Sequence, residues 1–327
     1  MRRGASTIDS RNPSASLDRQ SAEAGSGPLL TPNHFLAARN CWHLHIDETD
    51  IGFATRNPDS HAHDTDMTHN MQLRHLSLAG ITIDLLTIRD LLALLEVATA
   101  TKGKCLILNH NLHSLYLRHT SPGFISCYSN ASCTYIDGVP VVWLAKAAGL
   151  PARIEHRITL LDRLNIILDK AERCGWRVYY LGSRAEVIDS GLAVIRQQYP
   201  KLEISGHHGH FDKSGPDCDD VISKINTFEA DILFVGMGMP LQERWLSAHL
   251  SRINASVILT CGATLDYVTG HAYRPPAWVG PLGFYGIFRL VADPKRLWRR
   301  YLVEPVIVLK HLVLPIMRQR LQSRHRN

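Results

Sequence analysis

The chain has 327 residues, of which 45% are hydrophobic, and a formal net charge of +6. That is enough apolar material for one large α/β domain or two smaller ones, and it excludes a chain that is disordered throughout. The charge is local: nine Lys or Arg and one acid, Glu304, fall between residues 295 and 327, so this segment carries +8 and the remainder −2. Seven cysteines show no CxxC pair, and Cys105 and Cys261 stand in apolar strand-like runs. This usage predicts reduced core thiols in a cytoplasmic protein. No opening apolar stretch resembles a signal peptide, and no run of about 18 apolar residues could span a bilayer.

Residues 1–74 are polar, rich in Ser, Asn, Asp and His, and show no helical or strand period, which predicts a disordered extension. Their ETD (48–50) and DTD (64–66) stretches and His43, His45, His61, His63 and His69 read as solvated residues, because no strand precedes them to hold a ligand geometry. Order is expected from Leu76. LSLAGITID reads as a strand pair, and Thr87 caps a helix with Ile88, Leu91, Leu92 and Leu95 at helical spacing. CLILN (105–109) and CTYID (133–137) read as strands and PVVWLAKAAGL (140–150) as a helix ending at glycine. Leu164, Ile167, Leu168 and Ala171 mark the next helix, followed by the strand WRVYYLG (176–182), a helix over 185–198 and the strand LEISG (202–206). A helix over 218–227, a strand over 231–236, a helix over 240–252 and the strand VILTCG (257–262) complete the series. Strands alternating with helices predict a parallel sheet covered on both faces.

Ligands of such sheets sit at the carboxyl ends of the strands. Those ends hold Asn109–Asn111, Asp137–Gly138, Gly182–Ser183, Gly236–Pro240 and Gly262–Asp266, polar or glycine residues in every case. In DILFVGMGMPLQERW (231–245) a buried strand runs into glycines that permit a tight turn, and Pro240 suits the first position of a helix. A glycine turn at a helix N-terminus suits a phosphate, and an ordinary strand–helix turn has the same form. Asp137 reads equally as a general base or as a helix cap. Asp266 has the same two readings, and Arg157 is either a phosphate fork or a surface charge. In RPPAWVGPLGFYGIFRLVADPKRLWRRYLVEP, Arg289, Arg296, Arg299 and Arg300 recur beside aromatics, a cluster suited to a diphosphate, an anionic membrane or nucleic acid. The apolar run beyond it, Pro305 to Met317, has 13 residues and fits an interfacial anchor or a packed helix.

Taken together, LNHN (108–111), IDGVPVVW (136–143), RITLLD (157–162), YYLGS (179–183), SGHHGHF (205–211), GMGMPLQERW (236–245), CGATLDYVTGHAYRPPAW (261–278) and RLVADPKRLWRRYLVEP (289–305) resemble, in the same order, the WecG/TagA/CpsF glycosyltransferase family, glycosyltransferase family 26. The resemblance runs from about Leu76 to Pro305. It implies an α/β, Rossmann-like parallel sheet with helices on both faces over 75–286, and a basic, membrane-associating helical appendage over 287–327. It further implies an inverting hexosyltransferase that moves a sugar from a UDP-sugar to a polyprenyl-diphosphate-linked acceptor in bacterial surface polysaccharide synthesis, without a metal or other cofactor. The expected place of work is peripheral, on the inner face of the cell membrane, against an anionic surface and without nucleic acid. A homo-oligomer is compatible with it.

By this match Asp137 is the proposed base, with Asn109 beside it in the catalytic set. Arg157, Gln242, Arg289, Arg296 and Arg299 are implied phosphate binders. Asn111, Gly138, Gly182, Gly236, Gly238, Pro240, Glu243 and Asp266 fall in the substrate-binding set. The sequence departs from the family pattern at Asn109 (often Thr), at Leu160 (a glycine position), at Tyr285 and Gly286 (Glu and Trp), and in RPPAW. N-acetylmannosamine, its uronic acid, glucose and glucuronic acid are all compatible as the transferred sugar. The competing readings are a membrane- or nucleic-acid-binding module without catalysis and a dinucleotide-dependent oxidoreductase. The latter calls for a GxGxxG after the first strand, which is absent.

Overall fold

The computed structural model describes residues 75–78, 81–121 and 124–324. Residues 1–74, with the acidic stretches and histidines named above, lie outside the described residues. An antiparallel hairpin, β1 (His75–Leu78) and β2 (Ile81–Asp84), precedes β3 (Cys105–His110), β4 (Cys133–Ile136), β5 (Val178–Gly182), β6 (Ile204–His207), β7 (Ile232–Gly236) and β8 (Val257–Thr260). The last six form one parallel sheet in the order β4-β3-β8-β7-β5-β6.

The expected alternation is present because both sheet faces are buried. Ile107, Tyr180, Phe234 and Leu259 point to one face, where they meet α1 (Ile88–Thr101), α5 (Leu160–Cys174) and α6 (Ala185–Gln198). Leu106, Leu108, Leu181 and Val235 point to the other, against α3 (Phe124–Ser129), α7 (Gly215–Thr227) and α8 (Leu241–His249). Successive strand side chains alternate faces, so two cores can form from one run of apolar residues. Each fully buried leucine of α1, such as Leu91, Leu94 and Leu95, contributes roughly 1.5–3 kcal/mol. Thr87 starts α1 as expected, its hydroxyl accepting from the Asp90 N–H at 3.3 Å while the Asp90 carboxylate accepts from the Thr87 N–H at 2.8 Å.

A third core joins Ile81 and Ile83 of the hairpin, Leu115 of α2 (Leu112–Thr120), Val141 and Val142 of α4 (Val139–Ala147), and Val308, Leu312 and Ile316 from the end of the chain. The chain reaches them through α9 (Thr264–Val268), α10 (Tyr285–Ala292) and α11 (Pro294–Trp298). From Pro294 to Arg324 the backbone stays helical, with α12 (Glu304–Val308) and α13 (Leu314–Arg324) each preceded by a wide π turn, at Arg299–Val303 and Leu309–Val313. Both wide turns end one residue before a proline–helix junction, Glu304–Pro305 and Leu314–Pro315. Proline has no N–H to donate and its ring crowds the carbonyl four residues back, so the helix opens there. The opening also keeps a stripe in line. Leu297, Glu304, Val308, Leu312 and Ile316 are all buried, whereas steps of four along a uniform α-helix drift by about 40° each.

Sequence periodicity did not find α2 and α3, which lie between β3 and β4. LHSLYLRHT buries only Ser114, Leu115 and Leu117, too few to write a helical stripe. The available signal was Asn111, whose side chain accepts from the Ser114 N–H as the cap of α2.

Candidate active site

From β5 the chain leaves through α6 toward β6, and from β7 it leaves through α8 toward β8 on the opposite side. The neighbouring strands β5 and β7 therefore open a crevice at their carboxyl ends, the topological position where such sheets bind ligands. Gly182 and Gly236 are paired across it. A Cβ on Gly182 would collide with the Gly236 backbone, and one on Gly236 would stand 2.6 Å from the Gly262 carbonyl oxygen. Here glycine is required by close approach. At Gly238 the reason differs: its φ is +83°, a conformation that side chains rarely adopt. The Gly238 N–H donates to Gln242 Oε1 at 3.1 Å, and the Gln242 N–H returns to the Gly238 carbonyl at 3.0 Å. GMGMPLQ is thus a closed turn. Pro240 caps α8 from outside, one residue before the first helical position expected for it.

Around this crevice lies a cleft of about 1480 Å³. On its far side Asp137 directly follows β4. The cap of α4 is Gly138, which makes no side-chain cap bond, so the helix-cap reading of Asp137 does not hold. Instead its carboxylate accepts from Asn111 Nδ2 at 3.3 Å and from the Thr159 hydroxyl at 3.1 Å. Burial is the main influence on Asp137 and raises its pKa above the usual carboxylate value, opposed by those two hydrogen bonds and by the charges of Arg157 and Arg300.

Thr159 precedes α5 without capping it, because its oxygen also accepts from Arg157 Nη1 at 2.7 Å. Arg157 is neither a free fork nor a surface charge. Its side chain is 9% exposed and its Nη2 meets the Asp162 carboxylate at 3.1 Å. Tyr285 donates to the other Asp162 oxygen at 2.5 Å, so a residue that departs from the family pattern completes the chain of contacts behind Asp137.

Asn109 lines the cleft and is anchored by its amide to Thr260 at 3.3 Å. Asp266 lies inside α9, where it accepts from the Ser183 hydroxyl at 2.8 Å, and both line the cleft. From the C-terminal segment Arg289, Arg296 and Arg300 line it. Arg289 stacks over Tyr267 and Arg296 pairs with Asp293 at 2.6 Å.

Four residues of the sequence-based set do not line the cleft. Gly182 serves strand approach and Pro240 lies behind the turn. Glu243 is fully buried, since neighbouring helix residues point about 100° apart and Gln242 takes the cleft side. Glu243 accepts from Gln242 Nε2 at 2.8 Å, its Oε2 has no hydrogen-bond partner among the described residues, and burial pushes its pKa up to about 7. Arg299 is exposed and turned outward, and Arg300 takes the inward position. Asn111, Gly138, Gly236, Gly238 and Gln242 do line the cleft. Thr159 and Tyr285 were not among the expected site residues, and Ser183 and Arg300, expected only as part of a strand end and of an arginine cluster, both line the cleft. For Thr159 the signal was a hydroxyl at a helix start with an Arg two residues before it.

The sequence profile described as Glycosyl transferase WecG/TagA/CpsF family matches residues 76–326. Curated relatives include proteins named N-acetylglucosaminyldiphosphoundecaprenol N-acetyl-beta-D-mannosaminyltransferase from Staphylococcus aureus strains NCTC 8325, COL and MRSA252. Each is 26% identical over 226 residues, which covers 68% of this chain and 87% of the relative. With three quarters of its length matched, through every strand that builds the cleft, the chain belongs to the WecG/TagA/CpsF glycosyltransferase family.

Proposed function

We propose that this glycosyltransferase moves a sugar from a UDP-sugar to a hydroxyl of a polyprenyl-diphosphate-linked sugar, with inversion and with Asp137 as the base. The observation that carries this reading is the placing of Asp137: a carboxylate at a strand tip, oriented by Asn111 and Thr159, in a cleft whose other walls hold the GMGM turn and Arg289 and Arg300. As the acceptor oxygen attacks the anomeric carbon, its proton passes to Asp137, the bond to the nucleotide breaks, and UDP leaves with its charge on the diphosphate. A base that binds its proton more tightly than an ordinary carboxylate suits this step. Arginines stabilise the leaving diphosphate by charge-assisted hydrogen bonds, so no metal is needed. In this reading Ser183 and Asp266, which are hydrogen-bonded to each other beside the switch point, meet hydroxyls of the nucleoside. The relatives' name, which specifies an N-acetylglucosaminyl-diphosphoundecaprenol acceptor and an N-acetylmannosaminyl group, supports the acceptor class and makes N-acetylhexosamine the first sugar to test.

The reaction takes place at the cytoplasmic membrane face. Supporting this, the helical segment buries one stripe while Val306, Leu309, Leu314 and Met317 stay exposed, and Trp298, Leu302, Ile287 and Val291 extend the same exposed apolar character toward the cleft. Lys295, Arg299 and Lys310 lie among them, also exposed. Each basic residue near an anionic surface is worth about 1 kcal/mol. No helix among the described residues is long and apolar enough to cross a membrane.

The test is incubation with a panel of UDP-sugars and a polyprenyl-diphospho-N-acetylglucosamine acceptor, with products identified by mass and excess EDTA in half the reactions. The expected result is one sugar added, with equal yield in EDTA. Transfer from none of the UDP-sugars, or a loss in EDTA restored by magnesium or manganese, overturns the reading.

A further inference from the structure

Arg300 serves Asp137 only if the C-terminal helix sits in one register against the body. The apolar members of its buried stripe repeat every four residues, at Val308, Leu312 and Ile316. Burial alone therefore discriminates weakly between positions one turn apart. Glu304 breaks the repeat. Its carboxylate meets His113 Nδ1 at 2.7 Å, with side chains only 9% and 14% exposed. Such a buried polar contact is a poor source of stability compared with apolar packing of the same volume, and its best-attested use is to specify register.

The two partners are also tied to the chemistry. His113 is on α2, whose cap Asn111 donates to Asp137. Glu304 closes the wide turn that carries Arg300, its N–H donating to the Arg299 carbonyl. We propose that His113 and Glu304 are positioning residues, a latch that holds the C-terminal helix in the register where Arg300 lines the cleft together with Asp137. This inference rests on the roles given above to Asp137 and Arg300.

The test uses the full chain and the variants Glu304→Ala, Glu304→Gln, His113→Ala, Arg300→Ala and Glu304→Ala/Arg300→Ala. Tryptic cleavage after Arg299 and Arg300 reads the opening of the helix without any substrate, and kcat against pH reads the charge beside Asp137. Loss of a buried charged hydrogen bond opens the segment about tenfold to a hundredfold more often. Glu304→Ala and His113→Ala are therefore cleaved at least tenfold faster, and Glu304→Gln, which keeps a weaker, neutral bond from His113, falls between them and the parent. In Glu304→Ala the acid limb of kcat moves to higher pH as it does in Arg300→Ala, and the double variant adds nothing further. Cleavage rates unchanged in Glu304→Ala and His113→Ala overturn the latch, whether or not sugar transfer is found. So does an acid limb left in place while only the melting temperature falls. Absence of transfer by the parent protein counts instead against the function proposed above.

Discussion

Glycines and short polar side chains make the carboxyl edge of the sheet. Gly182 and Gly236 face each other where no Cβ fits, and Asp137 is held from both sides by Asn111 and Thr159. The C-terminal helix meets the same cleft with arginines on a segment that has only one buried stripe and two wide turns. The edge is fixed by strands buried on both faces, so it suits a group whose aim must be kept within about 0.5 Å. The helix is fastened along one side, so it suits groups that neutralise charge and tolerate small shifts. If this division is right, variants at the edge alter the chemical step, and variants on the helix alter charge, docking or register.

The largest effect is expected at the edge. Asp137→Asn lowers kcat by about 10²- to 10⁴-fold, the span of general base catalysis, while UDP affinity measured by calorimetry stays within about twofold. The parent rate falls as pH drops through the raised Asp137 pKa. Asn111→Ala removes a hydrogen bond that lowers that pKa, so its acid limb moves to higher pH. Stability follows the opposite sense. A folded-state pKa above the unfolded value contributes stability at low pH that is lost as pH rises through it. Asp137→Asn therefore melts at a higher temperature than the parent at pH 8. A lower melting temperature would mean that Asp137 is a structural carboxylate.

Next in size is a contrast between adjacent residues. Arg300→Ala is expected to lower kcat/KM by about 10- to 100-fold, the cost of one charge-assisted contact, whereas Arg299→Ala on a short-chain soluble acceptor changes it by less than about twofold. Equal losses would show that the inward and outward faces of the wide turn are not distinct.

Within the helix itself, Leu312→Ala is expected to cost about 2–5 kcal/mol in chemical denaturation, as for other buried leucines. Leu309→Ser leaves the denaturation midpoint nearly unchanged but weakens sedimentation with anionic vesicles. Vesicle binding untouched by Leu309→Ser and Val306→Ser together would remove that face from membrane docking. The smallest effect is expected at Glu243, whose pKa is pushed to about 7. The parent loses stability as pH rises from the ordinary glutamate range to about 7, and Glu243→Gln flattens this decline. A parallel decline in the variant would move its cause elsewhere.

Much of this protein is legible from local patterns. Buried runs such as ILFVG and the helical spacing of Ile88, Leu91, Leu92 and Leu95 place the strands and helices, because periods of 2 and 3.6 follow from backbone geometry alone. The strand-end positions of Asn109, Asp137 and Gly236 follow too, since a parallel sheet collects its ligand groups at one edge. What those groups touch was settled only by tertiary structure. Asp137 could be read as a cap until Gly138 was seen at that position and Thr159 beside the carboxylate. Arg157 could be read as a surface charge until Asp162, itself held by Tyr285 from 123 residues further along the chain, was seen to pair with it. The choice of Arg300 over Arg299, and of Gln242 over Glu243, is a matter of helix phase against a partner surface that sequence spacing does not contain. The His113–Glu304 contact joins residues 191 positions apart. No local period encodes such a pairing, because it exists only once the strands have ordered the edge and the last helix has packed across it.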